Sequence, residues 1–218
     1  MLQVNDAREL MIEQQIRCWD VLDERVLEIL REVPRERFVP EAFRDFAFAD
    51  FDVPLMHGQH MLRPNVTGRL LQALEIRDTD RALEVGAGSG FVTACLALGC
   101  GSLQSLEIVP ELAELATRNL AHVGARNAEV ICADAMSHDA LAARYNVIAV
   151  TASMPVYDPC FERSLQIGGR LFVLVGEQPI MEARLIRRIA EDRWTTGSLF
   201  ETVVDPLLNA AAPPLFRF

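Results

Sequence analysis

No apolar run in this chain reaches the ~20 residues that a membrane-spanning helix requires. Its opening, MLQVNDARELMIEQQ, carries neither a cationic flank nor an apolar signal core. A cytoplasmic protein with no membrane partner is expected. Positive charge is short as well: 21 basic against 31 acidic side chains leave a formal net charge of −10. Such a field repels polyanions, which argues against nucleic acid as a partner. The cluster Arg184, Arg187 and Arg188 reads as a solvated face. The five cysteines, Cys18, Cys95, Cys100, Cys132 and Cys160, form neither a C-x-x-C pair nor a Cys/His cluster, so neither a disulfide framework nor a zinc site is indicated. Cys95 in FVTACLAL and Cys132 in EVICA sit among apolar neighbours, where a free cysteine acts as a small hydrophobe. His57, His122 and His138 show no ligand spacing and read as surface or structural residues, and no metal is expected. Repeats and low-complexity tracts are absent. What remains is a globular composition, 50% apolar and 24% charged, at a length that suits one cooperative domain with appendages.

Apolar periodicity divides the chain in two. Residues 1–64 read as a helical segment with N-caps at Asn5 and Asp23. Leu10, Met11 and Ile16 share the first apolar face, and Val26, Ile29, Leu30 and Val33 the second, which Pro34 ends. A third short helix is expected over Glu41–Ala47, then a loop over 52–64, DVPLMHGQHMLRP. In residues 65–218 Asn65 caps a helix carrying Val66, Leu70, Leu71 and Leu74. Strands follow near 81–85, 102–107, 128–133, 146–151 and 170–176, with helical patterns at 91–98, 110–123, 137–143 and 158–165. This alternation predicts an α/β fold, a doubly wound and mostly parallel sheet with right-handed crossovers. Residues 181–191 and 194–204 read as an antiparallel edge hairpin, with a helix over 181–190 as the alternative that the same spacing satisfies. The apolar, Pro-rich ending LLNAAAPPLFRF is expected to pack across the domain in preference to a second copy, and the oligomeric state is left open.

Chemistry concentrates where the first strand of the sheet meets a helix. Gly86, Gly88 and Gly90 follow RALEV directly, and a turn so poor in side chains lets a ligand approach the main chain beside a helix N-terminus. Phe91 stands where G-x-G-x-x-G would place its third-spaced glycine, which argues against a nicotinamide dinucleotide. Glu107 closes the second strand in LQSLE and Asp134 the third in VICADA, at the strand ends where nucleosides bind.

The pattern E-x-G-x-G-x-G from Glu84 to Gly90 resembles motif I of the class I S-adenosylmethionine-dependent methyltransferases, whose fold is Rossmann-like. MIEQQIR, VLEILREVPRERFVP, the Gly-Gln step before Pro64, ALEVGAGSGF, a fourth strand ending VTAS and LQIGGRLFVLVGE resemble, from about Leu10 to Glu177, the protein-L-isoaspartate (D-aspartate) O-methyltransferases. The resemblance implies S-adenosylmethionine as cofactor and S-adenosylhomocysteine as product. It implies a site of Glu84 toward the methionine end, Gly86, Ala87, Gly88 and Gly90 in the turn, Glu107 and Ile108 at the ribose, Asp134 and Ala135 at the adenine, and Thr151. It also implies methylation of the isoaspartyl carboxylate in damaged proteins, a protein repair. That acceptor is already an anion at neutral pH, so positioning suffices and no general base is needed.

One loop departs from the family. Where the pattern reads Gly-Gln-Thr-Ile-Ser, this chain reads Gly58-Gln59-His60-Met61-Leu62, so Leu62 stands at the serine thought to hold the acceptor carboxylate. One hydrogen bond lost to a charged group is worth ~1.5–3 kcal/mol. Two neighbours offer compensation: Arg63 by bidentate pairing with a carboxylate, or a neutral His60 by taking a proton from a phenol or enol hydroxyl. Capping or packing at His60 and solvent exposure at Arg63 are the bland alternatives. The acceptor is thus a damaged protein or peptide, or a small hydroxylated or carboxylated metabolite; a cofactor-binding protein without turnover is the non-enzyme alternative.

Overall fold

The computed structural model of the chain describes residues 4–137, 141 and 144–213. Its centre is a seven-stranded sheet of β3 (Arg81–Val85), β4 (Ser102–Glu107), β5 (Ala128–Cys132), β6 (Tyr145–Met154), β7 (Leu165–Glu177), β8 (Ile180–Ala190) and β9 (Arg193–Thr202), in spatial order β5-β4-β3-β6-β7-β8-β9. The first five neighbours pair in parallel, and β8 and β9 close one edge antiparallel. Chain order reverses direction at β3, so β3, β4 and β6 leave their carboxyl ends around a common crevice, the switch point where doubly wound sheets bind ligands. The edge is a hairpin: Met181 and Ala183 alternate inward with period two against β7, which excludes the helical alternative over 181–190.

Helices α3 (Pro64–Leu74), α4 (Phe91–Gly99) and α5 (Pro110–Val123) pack on this sheet. α4 is apolar nearly all round and almost wholly buried, as a helix sandwiched between sheet and neighbours must be. The N-terminal α1 (Val4–Met11) and α2 (Glu24–Glu32) pack into the same apolar cluster, which runs from Met11, Ile12 and Ile16 through Leu70 and Leu74 to Phe172.

Several expectations need correction. α1 already includes Asn5, whose Oδ1 accepts from the Arg8 guanidinium at 3.2 Å instead of capping. A π turn over Ile12–Ile16 follows, and its extra residue per turn brings Met11, Ile12 and Ile16 inward while Leu10 stays exposed. Asp23 does cap α2, accepting from the Arg25 amide at 2.9 Å. At α3 the cap position is Arg63 and Pro64 opens the helix, so Asn65 lies inside the first turn, buried. Glu41–Phe46 is a 3₁₀ segment. The presumed loop 52–64 contains a small ladder, β1 (Val53–Pro54) against β2 (His60–Met61), too short to show a period. The helix expected at 158–165 contracts to α6 (Cys160–Arg163) behind Pro159. Of the helix expected at 137–143, residues 138–140 and 142–143, with His138, lie outside the described residues; a 3₁₀ turn occupies Ala135–Ser137. Cys132 is exposed, not part of the core.

All 21 basic residues are arginines, and several act as internal ties. Arg35, 1% exposed, donates to the Ala47 and Leu62 carbonyls at 2.9 Å each and lies 4.8 Å over the Phe91 ring. It thereby ties Leu62 to Phe91 at the start of α4. Burial lowers its pKa to about 10, still charged at neutral pH. Arg184, Arg187 and Arg188 are engaged as well, with Glu182, Glu75 and the Trp194 ring, so they form no free basic face.

Candidate active site

The turn after β3 is held by its neighbours. Gly90 lies under helix α5: a Cβ there would stand 3.1 Å from the Ala116 backbone, so a glycine is needed for α4 to pack against α5. Gly88 is the glycine on the open side, with φ +53° and, at 3.4 Å from where its Cβ would be, only the Leu55 side chain. The Thr151 hydroxyl at the end of β6 lies 3.0 and 2.7 Å from the Val85 and Gly86 carbonyls and fastens the start of the turn.

Glu107, 5% exposed at the end of β4, accepts from the Gly88 amide at 2.9 Å through Oε2 and from the Val109 amide at 3.0 Å through Oε1. It is therefore preorganised, and each oxygen retains a lone pair for a further donor. Asp134 accepts from the Met136 amide at 2.8 Å and from the Asn209 amide group at 2.9 Å. Beside it a small cavity of about 40 Å³ is lined by Ile108, Ala135 and the incoming Leu207 and Leu208, among others.

Glu84 is placed differently from the other acids. It is fully buried behind the turn and lines neither of these cavities. Its Oε2 accepts from Thr93 Oγ1 at 2.5 Å and Ser105 Oγ at 2.6 Å, while Oε1 has no partner among the described residues. Burial raises its pKa to about 7 against the opposing effect of the two hydroxyls. Thr93 and Ser105 were not anticipated as site residues. The signal was a polar residue at an inward position of LQSLE and of FVTACLAL.

The main cavity, about 570 Å³, opens between this turn and the β1–β2 hairpin. His60, Met61, Leu62 and Arg63 line it together with Gly86, Gly88, Glu107 and Thr151, so the anticipated cofactor turn and acceptor loop share one space. Leu62 contributes a side chain without a donor, and its carbonyl is taken by Arg35. Arg63 Nε is 2.9 Å from Asp52 Oδ2. His60 Nδ1 is 2.9 Å from Asp205 Oδ2.

Asp205 was not foreseen. After β9 the chain returns across the carboxyl ends of the sheet, the Ser153 amide donating to the Asp205 carbonyl at 2.8 Å and the Leu207 amide to the Ser153 carbonyl at 2.7 Å. Pro206 bridges in parallel to Ser153. Val203, Val204 and Asp205 thus wall the main cavity and Pro206, Leu207 and Leu208 the small one; of the ending, Leu207 ties back to β6 while Leu208 is exposed. Among the described residues no three His, Cys, Asp or Glu side chains come together as a metal site.

Comparison with known proteins agrees with this geometry. The family model for protein-L-isoaspartate(D-aspartate) O-methyltransferase matches residues 6–209. The chain is 34% identical over 212 residues to protein-L-isoaspartate O-methyltransferase 2 of Marinobacter nauticus, covering 97% of both chains. It is 36% identical over 201 residues to the Rhodopseudomonas palustris protein-L-isoaspartate O-methyltransferase, covering 92% of both. In fold it matches a Plasmodium falciparum structure titled as a protein-L-isoaspartate O-methyltransferase in complex with S-adenosyl-L-homocysteine, at TM-score 0.76 and 20% identity over 92% of this chain and 97% of that one. The chain belongs to the protein-L-isoaspartate(D-aspartate) O-methyltransferase family and is an S-adenosylmethionine-dependent methyltransferase.

Proposed function

We propose that this enzyme holds S-adenosylmethionine against the Gly86–Gly90 turn and delivers its methyl group to an oxygen acceptor seated in the main cavity. The observation that carries this reading is the single 570 Å³ space bounded by the turn on one side and residues 60–63 on the other, a size typical of small-molecule sites. The residues fit the cofactor. Glu107 keeps lone pairs for two ribose hydroxyls and Asp134 offers a carboxylate at the adenine end, with Ile108 and Ala135 beside it. Gly86, Ala87 and Gly88 supply backbone without bulk, and Thr151 fixes their turn. Glu84 acts from behind the turn, as a buried carboxylate favouring the cofactor's cationic end. When bound, the cofactor supplies an electrophilic methyl on a sulfonium; the chain's part is to orient the acceptor and exclude water.

Family membership makes the free carboxylate of an isoaspartyl residue in a damaged protein the first acceptor to test. A cytoplasmic enzyme is part of the proposal, consistent with no described helix being long and apolar enough to cross a membrane. So is the exclusion of nucleic acid, consistent with the net charge of −10. Domain limits of 1–64 and 65–218 are proposed as parts of one structural unit, supported by the apolar cluster they share. Calorimetry with S-adenosylhomocysteine tests the cofactor reading, and folded protein that binds none refutes it. Labelled methyl transfer to an isoaspartyl peptide tests the acceptor. No transfer by enzyme that binds S-adenosylhomocysteine removes the repair assignment and leaves the cofactor site standing.

A further inference from the structure

The adenine end of the cofactor site is closed by the chain's own return segment. Pro206, Leu207 and Leu208 wall the small cavity together with Ile108, Asp134 and Ala135, which follow the carboxyl ends of β4 and β5. Its volume of about 40 Å³ has room for about three water molecules and not for a purine. A cofactor whose adenine lies against Asp134 therefore needs this segment to give way.

The group that fastens the tip of the segment resembles adenine in its chemistry. Asn209 Nδ2 donates to Asp134 Oδ2 at 2.9 Å, while Asp134 Oδ1 accepts from the Met136 amide at 2.8 Å. An ionised carboxylate only accepts, so the carboxamide faces it with its NH2, the kind of donor that adenine presents through its amino group. A tight turn carries Asn209 to this position. Its φ of +63° lies in the left-handed region that asparagine tolerates, and the Ala210 amide donates to the Leu207 carbonyl at 3.2 Å. The base of the turn is fixed separately, by the Leu207 amide donating at 2.7 Å to the carbonyl of the buried Ser153. Of the two attachments the one at Asn209 is exposed to solvent, so the tip yields before the base.

We propose that Asn209 is a latch on the adenine end of the site: its carboxamide holds the place of the adenine amino group on Asp134, and cofactor binding exchanges one for the other as the 207–210 turn moves outward. This rests on the reading that S-adenosylmethionine binds here with its adenine at Asp134. The exchange gives the Asp134 carboxylate a donor both before and after binding, so it is not left unpaired in either state. Its cost falls on affinity, because the cofactor binds only the fraction of molecules whose latch is open.

The test is calorimetry of the full chain with S-adenosylhomocysteine, comparing wild type with Asn209→Gly, which keeps the left-handed turn and removes the amide. The variant is expected to bind about 2- to 10-fold more tightly, the worth of one hydrogen bond taken from the free state. Asn209→Asp, which keeps the size and sets a like charge against Asp134, is expected to shift affinity in the same direction. In an Asp134→Ala background, where binding is weaker throughout, Asn209→Gly is expected to give no tightening. The side-chain amide resonances of Asn209, identified by their loss in Asn209→Gly, are expected to move when S-adenosylhomocysteine saturates the wild type. Affinity equal to or weaker than wild type in Asn209→Gly overturns the proposal. So does tightening that persists without the Asp134 carboxylate, which assigns the effect to a looser turn, and so do Asn209 resonances that the ligand leaves in place. All three results leave the cofactor reading intact. Folded wild-type enzyme that binds no S-adenosylhomocysteine removes both together.

Discussion

Replacing Glu84 by glutamine isolates the cost of an acid buried behind the cofactor turn. In the folded protein its pKa stands at about 7 against an ordinary 4.5, raised by burial and only partly opposed by Ser105 and Thr93. Below pH 4.5 the side chain is protonated in both states and costs nothing. Between 4.5 and 7 the unfolded chain releases the proton and the folded chain keeps it, so stability falls as pH rises. Above 7 both states are ionised and the full penalty persists, about 3 kcal/mol for a shift of this size. Glutamine cannot titrate, but its amide nitrogen takes the place of Oε1, which has no partner among the described residues, at a pH-independent cost of about 1–3 kcal/mol. The two effects separate in urea denaturation at pH 4.5 and pH 8. Wild type is expected to lose about 3 kcal/mol more than Glu84→Gln between those values. Equal pH dependence in the two proteins refutes the assignment of a protonated Glu84 to the folded state.

Gly88→Val places a branched side chain at φ +53° beside Leu55 and disturbs the amide that Glu107 accepts from; it should abolish the rise in melting temperature that S-adenosylhomocysteine gives the wild type, and a preserved rise contradicts the turn's role. Asp80→Asn leaves Arg170, 5% exposed and 2.6 Å from its carboxylate, without a counter-charge. A loss of about 3–5 kcal/mol in urea is expected, with cofactor affinity unchanged, and a loss under about 1 kcal/mol contradicts a buried pair. Leu62→Ser restores a donor to the acceptor wall, and any basal transfer to an isoaspartyl peptide should rise about 10- to 100-fold; an unchanged rate shows that the missing hydroxyl is not what limits that acceptor.

The middle of the sheet was legible because β3, β6 and β7 carry runs of buried apolar residues between helical patterns, so that composition and period changed together at each boundary. The order of chemistry along it was legible for the same reason: Glu107 ends a strand, Gly86 and Asp134 follow one by a step or two, and parallel pairing carries those ends to one edge. Local exceptions escaped when a competing local rule won. Pro64 took the first helical turn from Asn65, and a π turn rotated Leu10 away from the face it shares by simple α-helical spacing. The short ladder of Val53 with Met61 escaped because two residues show no period.

The acceptor half of the site is built differently, and this explains why Asp205 was not foreseen beside His60. His60 meets Asp205 across 145 positions of sequence, through a return segment whose hydrogen bonds to Ser153 no local pattern announces. Leu62, on the wall of the same cavity, contributes no side-chain donor, and its carbonyl is taken by Arg35. Its neighbours on the same loop are tied as well, Arg63 to Asp52 and His60 to Asp205, each at 2.9 Å, so any hold on an acceptor there comes through side chains already engaged with an acid.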